Sequence, residues 1–116
     1  MVSRDLRINN GIRLLNNRFK VEYNSIRLNT GNTLIHELSK CKVGYILIKN
    51  GKKIVTEAIF SNGSRADIYV PEDYRVYEIL HSETEAMAKE KLSYYLEELD
   101  LVFLKSEDVM KDDFLL

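Results

Sequence analysis

The sequence predicts a single α/β domain in which helices flank a mixed sheet, and three observations lead there. A three- and four-residue apolar spacing runs from Leu34 to Ile48. Three short strand-like segments follow between about residues 53 and 80. A second helical spacing, Ala88 to Leu99, then leads into a last apolar run, LVFL, at 101–104. Helix, three strands, helix, strand is an order that suits a mixed central sheet covered by helices. At 116 residues, 45% hydrophobic and 30% charged, the chain can bury one core but not two.

Residues 1–30 form a basic arm rich in asparagine (9, 10, 16, 17, 24, 29). Within it Phe19, Val21 and Tyr23 alternate with polar residues and suggest a strand. Residues 31–104 form the core. Thr30-Gly31-Asn32 is a start signal for a helix over about 31–49, and Gly51 after Asn50 stops it. Leu34, Leu38, Cys41, Tyr45 and Ile48 recur along it as the candidate buried stripe. The segment VGYILIKNGKKIVTEA supports a rival, a hairpin around Asn50-Gly51. The continuous spacing back to Leu34 favours the helix, followed by a strand at about 53–60.

Ser61-Asn62-Gly63-Ser64 is a turn. Ala66, Ile68 and Val70 alternate with Asp67 and Tyr69 in a second strand, Pro71 marks the next turn, and Val76, Ile79 and Leu80 mark a third strand. Ser82-Glu83-Thr84-Glu85 reads as a capping box, in which the serine hydroxyl accepts an orphan N–H and Glu85 reaches back. The helix it opens is expected to run to about Leu99, with Ala88, Leu92, Tyr95 and Leu99 on one face. Residues 105–116 are a short acidic tail.

Composition closes several classes. Cys41 is the lone cysteine, which excludes an intramolecular disulfide and a cysteine zinc cluster, and fits a reducing, cytoplasmic setting. No apolar run approaches the ~18 residues of a membrane span, and MVSRDLRINN lacks the apolar core of a secretion signal. There is no Walker-type loop, GxGxxG, CxxC or HExxH. The net charge of −1 hides an asymmetry. Residues 1–49 hold nine Lys/Arg and three acids, net +6; residues 50–116 hold eight and fifteen, net −7. Such a split can set a polyanion-facing surface beside a cation-holding one, or vanish if the halves interleave in space.

The chemistry concentrates in RADIYVPEDYRVYEILHS, residues 65–82, with Asp67 near the start of one strand and Glu78 near the end of the next. Glu37 lies on the preceding helix. Convergent carboxylates supply what a hard divalent cation needs. Each also has a plainer explanation. Asp67 can be solvated or paired with Arg65. Glu37 can pair with Lys40 at i,i+3, and Glu57 can form a cross-strand ion pair. Glu78, between Tyr77 and Ile79, is the least comfortable, because an unpaired buried carboxylate costs several kcal/mol or shifts its pKa. His36 reads as a satisfied, partly exposed histidine, Cys41 as a small core residue, and Tyr94 and Tyr95 as half core and half surface.

HELSK (36–40), TEAIF (56–60), RADIYV (65–70), YEILHS (77–82) and KLSYY (91–95) in this order resemble the PD-(D/E)XK nuclease-like superfamily, over roughly residues 32–104. The resemblance implies a restriction-endonuclease-like αβββαβ core and a metal-dependent DNA nuclease, or a DNA-processing protein derived from one. It also implies Mg²⁺ or Mn²⁺ held by Glu37, Asp67 and Glu78. The chain departs from the family at Leu80, where the pattern Glu-x-Lys expects a polar group that offsets charge on the scissile phosphate. Lys89 and Lys91 on the second helix, and Lys40 beside Glu37, are candidate replacements; His81 would point to the face opposite Leu80. A nuclease-like fold without hydrolysis, binding nucleic acid or protein, is the alternative that Leu80 supports.

The expected partner is DNA, with RNA or branched DNA also open, contacted by Arg13, Arg18, Lys20, Lys40, Arg65 and Ser82. The small size and two-strand chemistry suit a homodimer.

Overall fold

The computed structural model describes residues 2–81 and 84–116; the side chains of Glu85 and Lys89 are outside that description. The chain is a mixed α+β fold built on a four-stranded sheet: α1 (Arg4–Ile12), α2 (Leu34–Lys49), β1 (Val55–Ile59), β2 (Arg65–Val70), β3 (Arg75–Leu80), α3 (Glu85–Leu92), β4 (Asp100–Lys105) and α4 (Ser106–Val109). The sheet order is β1-β2-β3-β4. The first two pairings are antiparallel and β3 runs parallel to β4. The last pairing needs a crossover, which α3 and the segment after it supply. No described helix is long and apolar enough to cross a membrane.

α2 starts where Thr33 caps it, its hydroxyl accepting the His36 N–H at 3.2 Å. It continues unbroken through Lys49, which excludes the hairpin. Gly51 at φ 84° then turns the chain away, a conformation open to glycine.

Packing occurs on both faces of the sheet. On one face Val43 and Leu47 of α2 meet Ile54, Ile68, Ile79 and Val109. On the other, Leu15, Val55, Ala58, Phe60, Ala66, Tyr69, Val76 and Leu99 form a second cluster. Strand alternation breaks in two neighbouring places. Val55 and Ala58 share a face although they are an odd number of residues apart, and so do Ala66 and Tyr69. The breaks fall at Glu57, whose φ is 51°, and at Asp67. Unbroken alternation would put Asp67 with Tyr69, away from α2; the break brings both acids toward it.

Four local expectations change. The stripe Leu34, Leu38 and Tyr45 faces solvent, and the buried side of α2 is His36, Glu37, Ser39, Lys40, Val43, Gly44 and Leu47. Ser82 and Glu83 of the expected capping box lie outside the described residues; the cap of α3 is Thr84, which accepts the Met87 N–H at 3.2 Å. α3 ends at Leu92 rather than near Leu99. There Ser93 turns its hydroxyl onto the Glu90 carbonyl at 2.7 Å and Asn62 holds the Tyr94 carbonyl at 2.9 Å, so Tyr95, Leu96 and Leu99 reach the core from turns.

The fourth change is in the arm. It contains helix α1 and no strand at Phe19–Tyr23, which fold as coil and turn. Ser3 caps α1 through the Leu6 N–H at 3.1 Å. Gly11 lets the helix press on the 3-10 turn Pro71–Asp73, since a Cβ there would lie 2.1 Å from the Pro71 carbonyl oxygen. The arm then runs over the core, where Asn24 exchanges bonds with Ile54 and Thr56 bonds Ser25 and Arg27.

Candidate functional site

Four acids come together where α2 crosses the strands. Register places Glu57 beside Asp67, and Asp67 beside Glu78, in a row across β1, β2 and β3. At this row β2 and β3 fork, and side chains take over from the ladder. The Asp67 carboxylate accepts the Ile79 N–H at 2.8 Å, and the Glu78 carboxylate accepts the Asp67 N–H at 3.3 Å. The Tyr95 hydroxyl lies against Glu78 and 2.8 Å from the Arg65 carbonyl oxygen.

Glu37 sits apart from this fork. Its carboxylate accepts from Lys40 Nζ at 2.7 Å, from the Asn29 N–H, and from His36 Nδ1 at 2.7 Å. Lys40 Nζ also reaches Glu57 at 2.8 Å, so the expected i,i+3 pair forms and Glu57 pairs with the helix rather than across the sheet. Lys40 is fully buried, and the expectation that it contacts nucleic acid is corrected: its ammonium faces inward between two carboxylates. His36 bridges the two groups, with Nε2 3.3 Å from the Asp67 carboxylate.

The electrostatics follow these contacts. The Asp67 hydrogen bond, helped by Glu37 and opposed by burial, raises His36 to about 9. At neutral pH it is an imidazolium donating from both nitrogens. Burial pushes Glu37 up, but the Asn29 N–H, Lys40 and His36 outweigh it and hold the carboxyl at about 2. Burial also works against the Lys40 charge, and Glu37 and Glu57 more than offset it, so its pKa is raised. Asp67 is held below the ordinary range, the His36 and Ile79 contacts prevailing over burial. Glu78 goes the other way, to about 8, through burial and the adjacent Asp67 charge, with Lys91 pulling it back.

An open pocket of about 250 Å³ lies over the fork, lined by Gly31, Asn32, Thr33, His36, Asp67, Glu78, His81 and Lys91. A neighbouring pocket of about 190 Å³ shares Glu78 and Lys91 and adds Ser64, Arg65, Tyr94 and Tyr95. Asp67, Glu78 and Lys91 are thus brought together, whereas Glu37 is not among the lining residues. Leu80 is buried. His81 reaches the pocket with its Nδ1 2.9 Å from the Ser106 hydroxyl. The Lys89 side chain and Ser82 lie outside the described residues. Arg13, Arg18, Lys20 and Arg65 are exposed, and only Arg65 borders the site.

Among the described residues, no group of three or more His, Cys, Asp or Glu side chains is arranged to hold a metal ion together. Sequence reasoning passed over His36 and Tyr95 as site residues; the only signal for His36 was its place beside Glu37, and Tyr95 carried none. No protein-family profile, curated protein or solved structure gives a significant match to this chain.

Proposed function

We propose that the chain is a metal-dependent DNA nuclease, or a DNA-processing protein derived from one, working at the Asp67–Glu78 fork. The observation that carries this reading is that Asp67, Glu78 and Lys91 line one open pocket. The element order and the 1-2-3-4 sheet agree with the αβββαβ core that the sequence motifs imply.

The residues fit a hard cation bound by two carboxylates. Burial, with the adjacent Asp67 charge, keeps the Glu78 proton to about pH 8, and Mg²⁺ commonly takes one or two carboxylates and completes its shell with water and phosphate. Bound there, Mg²⁺ or Mn²⁺ would acidify a water and offset charge on a phosphodiester. Glu37, neutralised by Lys40 and His36, is assigned no metal in this reading; it anchors His36, which in turn orients Asp67. Tyr95 positions Glu78.

Lys91 takes the role that Leu80 cannot, placing positive charge beside the scissile phosphate. Arg65 at the mouth, and Arg13, Arg18 and Lys20 on the arm, would contact the nucleic-acid backbone.

The test is cleavage of single-stranded, duplex and branched DNA with Mn²⁺, Mg²⁺ or EDTA. Wild type cleaves; EDTA and Asp67→Asn abolish it; Lys91→Ala lowers the rate about 100-fold or more. Cleavage that survives Asp67→Asn sinks the assignment. A second reading, a silent nuclease-like module, is favoured by Leu80. It is established if a folded protein cuts no substrate yet binds DNA without metal and releases it as salt rises.

A further inference from the structure

We propose that the outward face of α2 pairs antiparallel with the same face of a second copy of this chain, about a two-fold axis passing between positions 39 and 40. The inference is independent of the nuclease reading. α2 carries apolar side chains on its outer face as well as on part of its inner one. Its inner face carries Val43 and Leu47 against the sheet, while Leu34, Leu38 and Tyr45 are 75%, 43% and 64% exposed and Cys41 is half-buried between them. The sheet covers only the inner side, and an exposed apolar stripe rimmed by polar residues marks an interaction surface.

The spacing names the occupant. Positions 34, 38, 41 and 45 step by four, three and four, so they form one seam of coiled-coil type. The seam is symmetric about its own middle. In an antiparallel pair around that point Leu34 meets the partner's Tyr45 and Leu38 meets the partner's Cys41, which is the self-complementarity that a two-fold interface requires. Beside the seam, Lys42 Nζ bonds the Lys111 carbonyl at 2.7 Å and lies 5.7 Å over the Phe114 ring, and this places the C-terminal segment along the same flank. There Leu115 and Leu116 are 90% and 46% exposed. Leu34, Leu38 and Tyr45 present on the order of 400 Å² per copy, about the apolar share of the ~800 Å² that each partner of a standard interface buries. His36 lies on the inner side of α2, so this pairing leaves the Asp67–Glu78 pocket open.

Sedimentation velocity across micromolar to submillimolar concentration tests the proposal on the full chain, together with a short bismaleimide that bridges Cys41 to the partner's Cys41. Wild type is expected to sediment as a dimer and to be crosslinked at Cys41. Leu38→Glu and Tyr45→Glu each change a solvent-facing residue, and both are expected to give monomers of unchanged circular dichroism and lost crosslinking. A wild type that stays monomeric throughout overturns the proposal. So does a dimer that persists in both variants, or one in which Cys41 is not bridged.

Discussion

Glu37 and Glu78 are equally buried, each 6% exposed, yet one carboxyl is held at about 2 and the other is pushed up to about 8. Burial weighs most on Glu78, and the neighbours of the two differ. Glu37 is flanked by the Lys40 ammonium, the His36 imidazolium and a backbone N–H, and forms a closed ion cluster with Glu57. Glu78 faces another carboxylate across forked strands and opens on a pocket. Burial alone therefore does not mark a site; a buried acid that faces a like charge at the edge of a pocket does. The α2 corner is satisfied without a ligand, and the strand fork is a place where a cation would relieve repulsion.

The contrast can be broken most severely at Lys40. Lys40→Met removes the shared cation and leaves Glu37 and Glu57 facing each other under cover. A loss of about 3–5 kcal/mol is expected in urea unfolding; a loss near zero would mean that the corner is solvated. Glu78→Gln works in the opposite direction. It relieves the fork, so the metal-free protein gains up to about 4 kcal/mol above pH 8 and little near pH 5, while the cleavage proposed for this site is lost. Equal stabilisation at both pH values would show that Asp67 and Glu78 do not share a proton.

The pH profile of melting in EDTA sharpens the same contrast. Glu78 is raised from 4.5 to about 8, so its contribution is full below 4.5 and fades as pH rises through 8. His36, raised from 6.5 to about 9, likewise stabilises below 6.5 and ceases to as pH passes 9. Glu37, lowered from 4.5 to about 2, stabilises above 4.5 and loses that contribution as pH falls toward 2. The Tm is expected to peak near pH 5 and to decline on both sides; Glu78→Gln and His36→Asn should each flatten part of the alkaline limb. The smallest effect belongs to Tyr95→Phe, which removes one hydroxyl from Glu78 and the Arg65 carbonyl. It should cost about 1 kcal/mol and lower the proposed cleavage mainly through kcat, because Glu78 loses its support. An unchanged kcat would make Tyr95 a packing residue alone.

Much of the framework was legible in the chain. The order from α2 to β4 follows from apolar spacing and turn residues, and Asp67 and Glu78 stood out because each interrupts an apolar strand. The N-terminal helix was harder to read, since α1 is short, polar and Asn-rich, and packs on the 3-10 turn through Gly11, with Ile8 and Ile12 its only apolar side chains toward the core. The helix expected to reach Leu99 was misjudged because Tyr95 and Leu99 keep helical spacing while the backbone, redirected at Ser93, no longer follows it.

α2 teaches the most. Its strongest apolar periodicity marks the side away from the sheet, because the inner side had to accommodate an ion cluster as well as a core. Periodicity reports that a face is apolar, not which neighbour covers it.

By itself, then, the sequence determined the elements, their order and the two carboxylates on neighbouring strands, because these depend on local spacing and turn chemistry. Only the tertiary structure decided which acids are neutralised and which line an open pocket. That choice rests on the backbone breaks at Glu57 and Asp67, on the enclosure of Lys40, and on Lys91 reaching the pocket from another element. Charge interactions fall off with distance and depend on the surrounding dielectric, and both are set by how distant segments pack.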